Sequence, residues 1–258
     1  ACTPVSYFIK NWSKNVFDVH AENENKVNLK IEKKDKQTWR VESESANKIR
    51  FTYKVYAYSI NNPYHAHIEK DFAYFNGAVI FMYIDGKKDV HHNLQFVYPD
   101  EWEIHTSLQI KLDENKYQAV NFDEFIDCPA FLGNLTEFSF TVQNKRHYVV
   151  YNGDYEANRD QIKSDLSKMI EWYYKMFGEL PYEHYTFFLR VSEPGSGGME
   201  HLYSNVSSIT PSSLKGDIEN VSYYSSLLML EAHEYFHLFN VKRIRPTGLG
   251  PFDYKNEV

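Results

Sequence analysis

The sequence predicts a mainly β first half, an antiparallel sandwich or curved sheet, followed by an α+β second half. Three observations carry this reading. Apolar residues recur with period two over residues 27 to 150, the period lengthens to three and four from Ile162, and a second helical stretch runs from about residue 222 to 240. In the first half Val27, Leu29 and Ile31, and then Ile49, Phe51, Tyr53, Val55 and Ala57, alternate as half-buried strands do. Residues 108–112 and 147–151 are further strands. Asn76-Gly77 and Asp85-Gly86 stand between apolar runs, where glycine's tolerance of positive φ suits tight hairpin turns. The aromatic stretches at 53–58 and 72–81 are expected in the core.

In the second half Ile162, Leu166, Met169, Ile170, Tyr173 and Phe177 form one apolar stripe on a helix, stopped by Gly178 and Pro181. A strand over 185–191 and the loop Glu193-Pro-Gly-Ser-Gly-Gly follow. The second helix is expected to open on Asn220 or Ser222 as cap and to close before Pro246. Asn152-Gly153-Asp154 interrupts the regular patterns, so residues 1–153 are expected as one domain and 154–258 as another.

A net charge of −7 gives no basic surface for nucleic acid or anionic lipid. The longest apolar stretch, residues 78–84, is far short of a membrane span, and no charged-then-apolar signal segment opens the chain. Cys2 and Cys128 allow one bridge at most. Ala1-Cys2 fits a processed export or lipoprotein signal as well as a chain boundary, which leaves the compartment open between periplasmic, secreted and cytoplasmic.

The chemistry is concentrated in His233-Glu234-Tyr-Phe-His237. Positions i and i+4 of a helix share a face, so His233 and His237 can aim ring nitrogens at a single zinc ion. Glu234, beside the first ligand, is placed to act as general base on a metal-activated water. Asn240 and Arg243 replace the glycine and histidine of the extended metzincin motif, which excludes that class and leaves a downstream carboxylate as the expected third ligand. Glu257, twenty residues after His237, is a weak candidate for it on a tail with no helix to hold it. Gly197-Gly198-Met199-Glu200-His201 is the second feature: paired glycines allow close backbone approach, and Glu200 could pair with a substrate ammonium.

With these residues in view, the chain resembles the glycyl aminopeptidase family of zinc metallopeptidases. The resemblance is carried by the run from His233 to Pro246, by Leu249-Gly-Pro-Phe-Asp-Tyr254 and by Gly197–His201, with weaker support at 6–10, 14–16, 122–129 and 177–182. It implies a β-sandwich amino-terminal domain, a thermolysin-like catalytic domain, and removal of glycine or alanine from the amino ends of peptides. Carried over by position, His233 and His237 would bind zinc, Glu234 would be the base and Glu200 would bind the substrate amine. The family's third ligand stands in a Trp-x-x-Glu-Gly segment about ten residues past Val258, with a PDZ domain beyond, so the chain is expected to be an incomplete fragment that holds zinc weakly.

Two other readings compete: a non-catalytic β-sandwich binding module with a vestigial metal site, which would have no use for Glu234, and a zinc endopeptidase, which would have no use for Glu200. His65 and His67, and His91 and His92, lack a carboxylate at ligand spacing and are expected as surface histidines. Lys242, Arg243 and Arg245 suit the negative end of the helix dipole.

Overall fold

The structure, a computed structural model, describes residues 10–43, 45–59, 65–195, 197–216 and 221–247. In the first half the elements run β1 (Val16–Asn23), β2 (Ile31–Lys33), β3 (Trp39–Val41), β4 (Ile49–Val55), β5 (Ala66–Ile68), β6 (Phe72–Phe75), the one-turn helix α1 (Gly77–Ile80), β7 (His92–Gln95), β8 (Glu103–Thr106), β9 (Ile110–Asp113), β10 (Lys116–Ala119), α2 (Phe122–Ile126) and β11 (Ala130–Gly133). Their pairing is antiparallel throughout: ribbons β1–β4 and β2–β3, a three-stranded sheet β7-β10-β9 and a four-stranded sheet β5-β6-β11-β8. The second half holds β12 (Leu135–Val142), β13 (Lys145–Asn152), α3 (Arg159–Phe177), β14 (His184–Val191), β15 (Gly198–Glu200), β16 (Ser204–Ile209) and α4 (Val221–His237). A β-rich α+β chain with several antiparallel sheets is what the alternation and the two helical stripes foretold.

One mixed sheet, in the order β12-β13-β14-β16-β15, organises the second half, with β13, β14 and β16 parallel and both edge strands antiparallel. Its strands begin at Leu135, so the sheet straddles residue 153, where the sequence placed the domain break. Side chains alternate along β14, which explains how one strand serves two cores. Tyr185, Phe187, Leu189 and Val191 pack against Ile162, Leu166 and Ile170 of α3, Tyr235 of α4 and Leu238 just past its end. Phe188 faces the other way and joins Val150 and Val206 to Phe72, Tyr74 and Phe131 of the four-stranded sheet. The central sheet is therefore sandwiched between helices and the amino-terminal β structure, and β14, covered on both faces, reads as a largely apolar run.

The helix α3 starts where the Asn158 side chain accepts from the Gln161 amide and ends at Gly178, whose φ of 82° is the left-handed turn that glycine supplies. Fully burying Ile162, Leu166 and Ile170 contributes roughly 1.5–3 kcal/mol each. No helix among the described residues is long and apolar enough to cross a membrane.

Four expectations need correction or restriction. Asn76-Gly77 is no hairpin turn: the Asn76 side chain accepts from the Ala78 amide and caps α1, because the same Asn preference serves both structures. Tyr56 and Tyr58 are 61% and 55% exposed, and the strand that precedes them belongs to a two-stranded ribbon. His67 is a buried residue instead of a surface one, its ring 5.2 Å from that of Tyr58. Cys128 is a buried free thiol, while Cys2, Asn220, Glu257 and the segment 249–254 lie outside the described residues.

Candidate functional site

The site is assembled by α4, β15 and β16. Helical periodicity turns Leu227, Tyr235 and Leu238 onto the sheet and leaves His233 exposed, with His237 half-buried beside it. The Nε2 atoms of His233 and His237 stand 3.1 Å apart. Two nitrogens bound to one tetrahedral zinc at its usual bond length would lie about 3.3 Å apart, so the pair is spaced for a shared ion. The Nδ1 of His237 is 2.9 Å from the Asn240 carbonyl. A carbonyl only accepts, so Nδ1 carries the proton and Nε2 of the neutral ring keeps its lone pair for a metal.

On the other wall, Glu200 ends the edge strand β15 and is 2% exposed. Ligand atoms of Glu200, Glu234 and His237 all lie within 4.8 Å of one another. Glu234 is 4% exposed, and its carboxyl packs directly on Gly198, where an added Cβ would come within 2.7 Å of the carboxyl carbon. Glycine at 198 thus lets the acid approach this closely, and a larger residue there would displace the carboxyl. Burial, and then the negative charges of Glu200 and Glu231, push the Glu234 pKa up to about 8. A cation delivered among these groups would reverse that shift. Gly197, with φ of 81°, turns the chain into β15, and its carbonyl accepts from the Ser208 amide.

Below this layer lies Glu231, 1% exposed. Its pKa is raised to about 7 by burial, opposed by hydrogen bonds from Ser207 and Asn205. The Asn205 Nδ2 donates to Glu231 Oε2 at 2.7 Å and to Ser207 Oγ at 2.9 Å. Beyond the end of α4, Lys242 Nζ donates to both oxygens of Asp127, at 2.9 and 2.8 Å, and His201 Nδ1 lies 3.0 Å from the same carboxylate. Desolvation would raise the Asp127 pKa, but the Lys242 charge and the His201 contact hold it below the ordinary range. Arg243 binds the carbonyls of Leu238, at 2.8 Å, and Pro181, at 2.7 Å. Arg243 thus caps the helix end as the dipole suggests, whereas Lys242 reaches across to the first half.

Of the residues singled out from sequence, His233, Glu234, His237, Glu200 and Gly198 come together, with Gly197 at the entrance to β15. Glu231, Asn205, Asp127 and Lys242 escaped that reading as members of the site. Glu231 left a trace, an acid in helical phase with Leu227 and Tyr235 on the inner face; Asp127 left none, because its partners are 74 and 115 residues away.

Comparison with known proteins places the chain in a family. Residues 1–134 match the Peptidase M61 N-terminal domain and residues 226–258 match the M61 glycyl aminopeptidase. The crystal structure of an aminopeptidase N family protein from Idiomarina loihiensis superposes with a TM-score of 0.92 at 28% identity, over 98% of this chain and 44% of that one. The chain therefore spans less than half the length of that relative. No curated protein matches. The amino-terminal match alone takes in half of the chain and the second covers the motif helix, so the chain belongs to the M61 glycyl aminopeptidase family of peptidases.

Proposed function

We propose that this chain carries the active site of a zinc-dependent aminopeptidase that removes small amino-terminal residues, glycine or alanine, from peptides. The observation that carries the reading is the His233–His237 pair, 3.1 Å apart with the His237 tautomer fixed, beside the buried carboxyl of Glu234. His233 and His237 would hold the metal. Zinc there would acidify a bound water to a pKa of about 7 and polarise the scissile carbonyl. Glu234 takes the proton of the attacking water and delivers it to the leaving amine. Glu200 pairs with the substrate ammonium, which fixes the first peptide bond in place, and Gly197 and Gly198 let the substrate backbone come close.

Glu234→Gln, which keeps shape and removes the base, is expected to lower kcat on alanyl and glycyl anilides about 10²–10⁴-fold while zinc is retained. Undiminished turnover in that variant would overturn the assignment and leave a non-catalytic module. Blocking the substrate amine by acetylation should abolish cleavage; efficient cleavage of blocked peptides would make the enzyme an endopeptidase. The closeness of Glu200 to Glu234 and His237 favours one second reading, in which Glu200 is itself a metal ligand. Glu200→Gln separates the two, by raised KM with zinc kept or by loss of zinc.

A further inference from the structure

Asp127 belongs to the amino-terminal half, as the residue that closes α2, yet both of its partners belong to the walls of the proposed active site. His201 directly follows Glu200, and its backbone amide donates to the Ser204 carbonyl at 2.8 Å, which closes the turn from β15 into β16. Lys242 lies in the turn that follows α4. Its amide and that of Val241 both donate to the His237 carbonyl, at 3.0 and 3.1 Å, and the same turn presents the Asn240 carbonyl that sets the His237 ring. The side chains of His201 and Lys242 are 1% and 8% exposed. A buried lysine and a buried imidazole on one carboxylate are costly to desolvate, and such clusters are better suited to specifying geometry than to adding stability.

We propose that Asp127 is a positioning residue for the reaction: through His201 it holds the end of β15 that bears Glu200, and through Lys242 it holds the turn that orients His237. The inference rests on the aminopeptidase reading above and adds to it a third element, outside the catalytic half, that sets the gap between the amine clamp and the metal-binding helix. Removing the carboxylate charge leaves every catalytic group present but lets the two walls drift independently. Groups that orient metal ligands typically affect metal affinity or activity by 10–100-fold when lost.

The test uses the full-length protein with alanine p-nitroanilide, reading kcat and KM separately, zinc affinity by chelator competition, and Tm. Asp127→Asn is expected to raise KM and weaken zinc binding, with kcat/KM down about tenfold or more. Lys242→Met should reproduce the loss and Lys242→Arg, which can still reach both oxygens, should restore most of it. If Asp127→Asn does not fold, Asp127→Glu keeps the charge and lengthens the arm by one methylene, and a raised KM is expected of it. Unchanged kcat, KM and zinc affinity in the folded variant, or a change confined to Tm, would overturn the proposal. A wild type without aminopeptidase activity would sink the functional reading instead, and the zinc affinity of Asp127→Asn relative to wild type would still decide the clasp.

Discussion

The β1–β4 ribbon and the strand β16 are both extended, yet they lie at opposite extremes of burial. Across the fifteen positions of β1 and β4 only Ala21 is buried, whereas all six positions of β16 are. The ribbon has the more regular apolar alternation; β16, Ser204-Asn-Val-Ser-Ser-Ile, has almost none. Alternation reports that a strand has two different faces, and it says nothing about how many layers will cover it. A strand in the middle of a layered structure can be polar if each polar group finds a partner, as Ser204 does at Ser107 (3.0 Å) and Asn205 at Glu231. In this protein the buried polar strand is the one behind the candidate site.

Substitutions along the two regions should separate them sharply. Phe188→Ala, in the layer shared by the central and four-stranded sheets, is expected to cost about 3–5 kcal/mol in urea unfolding. A loss below 1 kcal/mol would mean that the two layers do not share a core. The next largest effect concerns His147 on β13, which is fully buried, 2.7 Å from the Tyr182 hydroxyl, and lowered to about 4 by burial. Its imidazole is neutral in the native state down to that pH, while the unfolded chain takes up a proton near 6.5. Its stabilisation is therefore complete above about pH 6.5 and falls by roughly 3 kcal/mol as pH drops to 4. His147→Phe should remove that share of the slope, and parallel pH profiles for variant and wild type would refute a buried neutral ring. In the ribbon, half-buried Phe51→Ala should cost only about 1 kcal/mol. A cost equal to that of Phe188→Ala would erase the contrast.

The sequence made legible what local periodicity controls. The stripe from Ile162 to Phe177 became α3, Tyr185 to Val191 became β14, and the four-residue spacing of His233 and His237 placed two nitrogens 3.1 Å apart. It misled where one residue type serves two local structures, as at Asn76, and where burial depends on distant layers, as at His67 and Tyr58. Strands β15 and β16 were unreadable because Gly, Ser and Asn carry no strand signal, and they form there through pairing, β16 with β14 and β15 with β16. The candidate site divides the same way. Its helical residues stood out in one window, while Asp127, Asn205 and Glu231 join it only through contacts across the fold.

The tight seat of Glu234 against Gly198 has an evolutionary reading. A copy of this gene that acquired a side chain at position 198 would keep His233, Glu234 and His237, yet the carboxyl of Glu234 would have to move from where it stands. Such a copy would pass every inspection of its His-Glu-x-x-His motif with the Glu234 carboxyl in a different place. One small residue on an edge strand therefore helps to set where the acid of the motif stands, and it lies 36 residues away from that acid in the sequence.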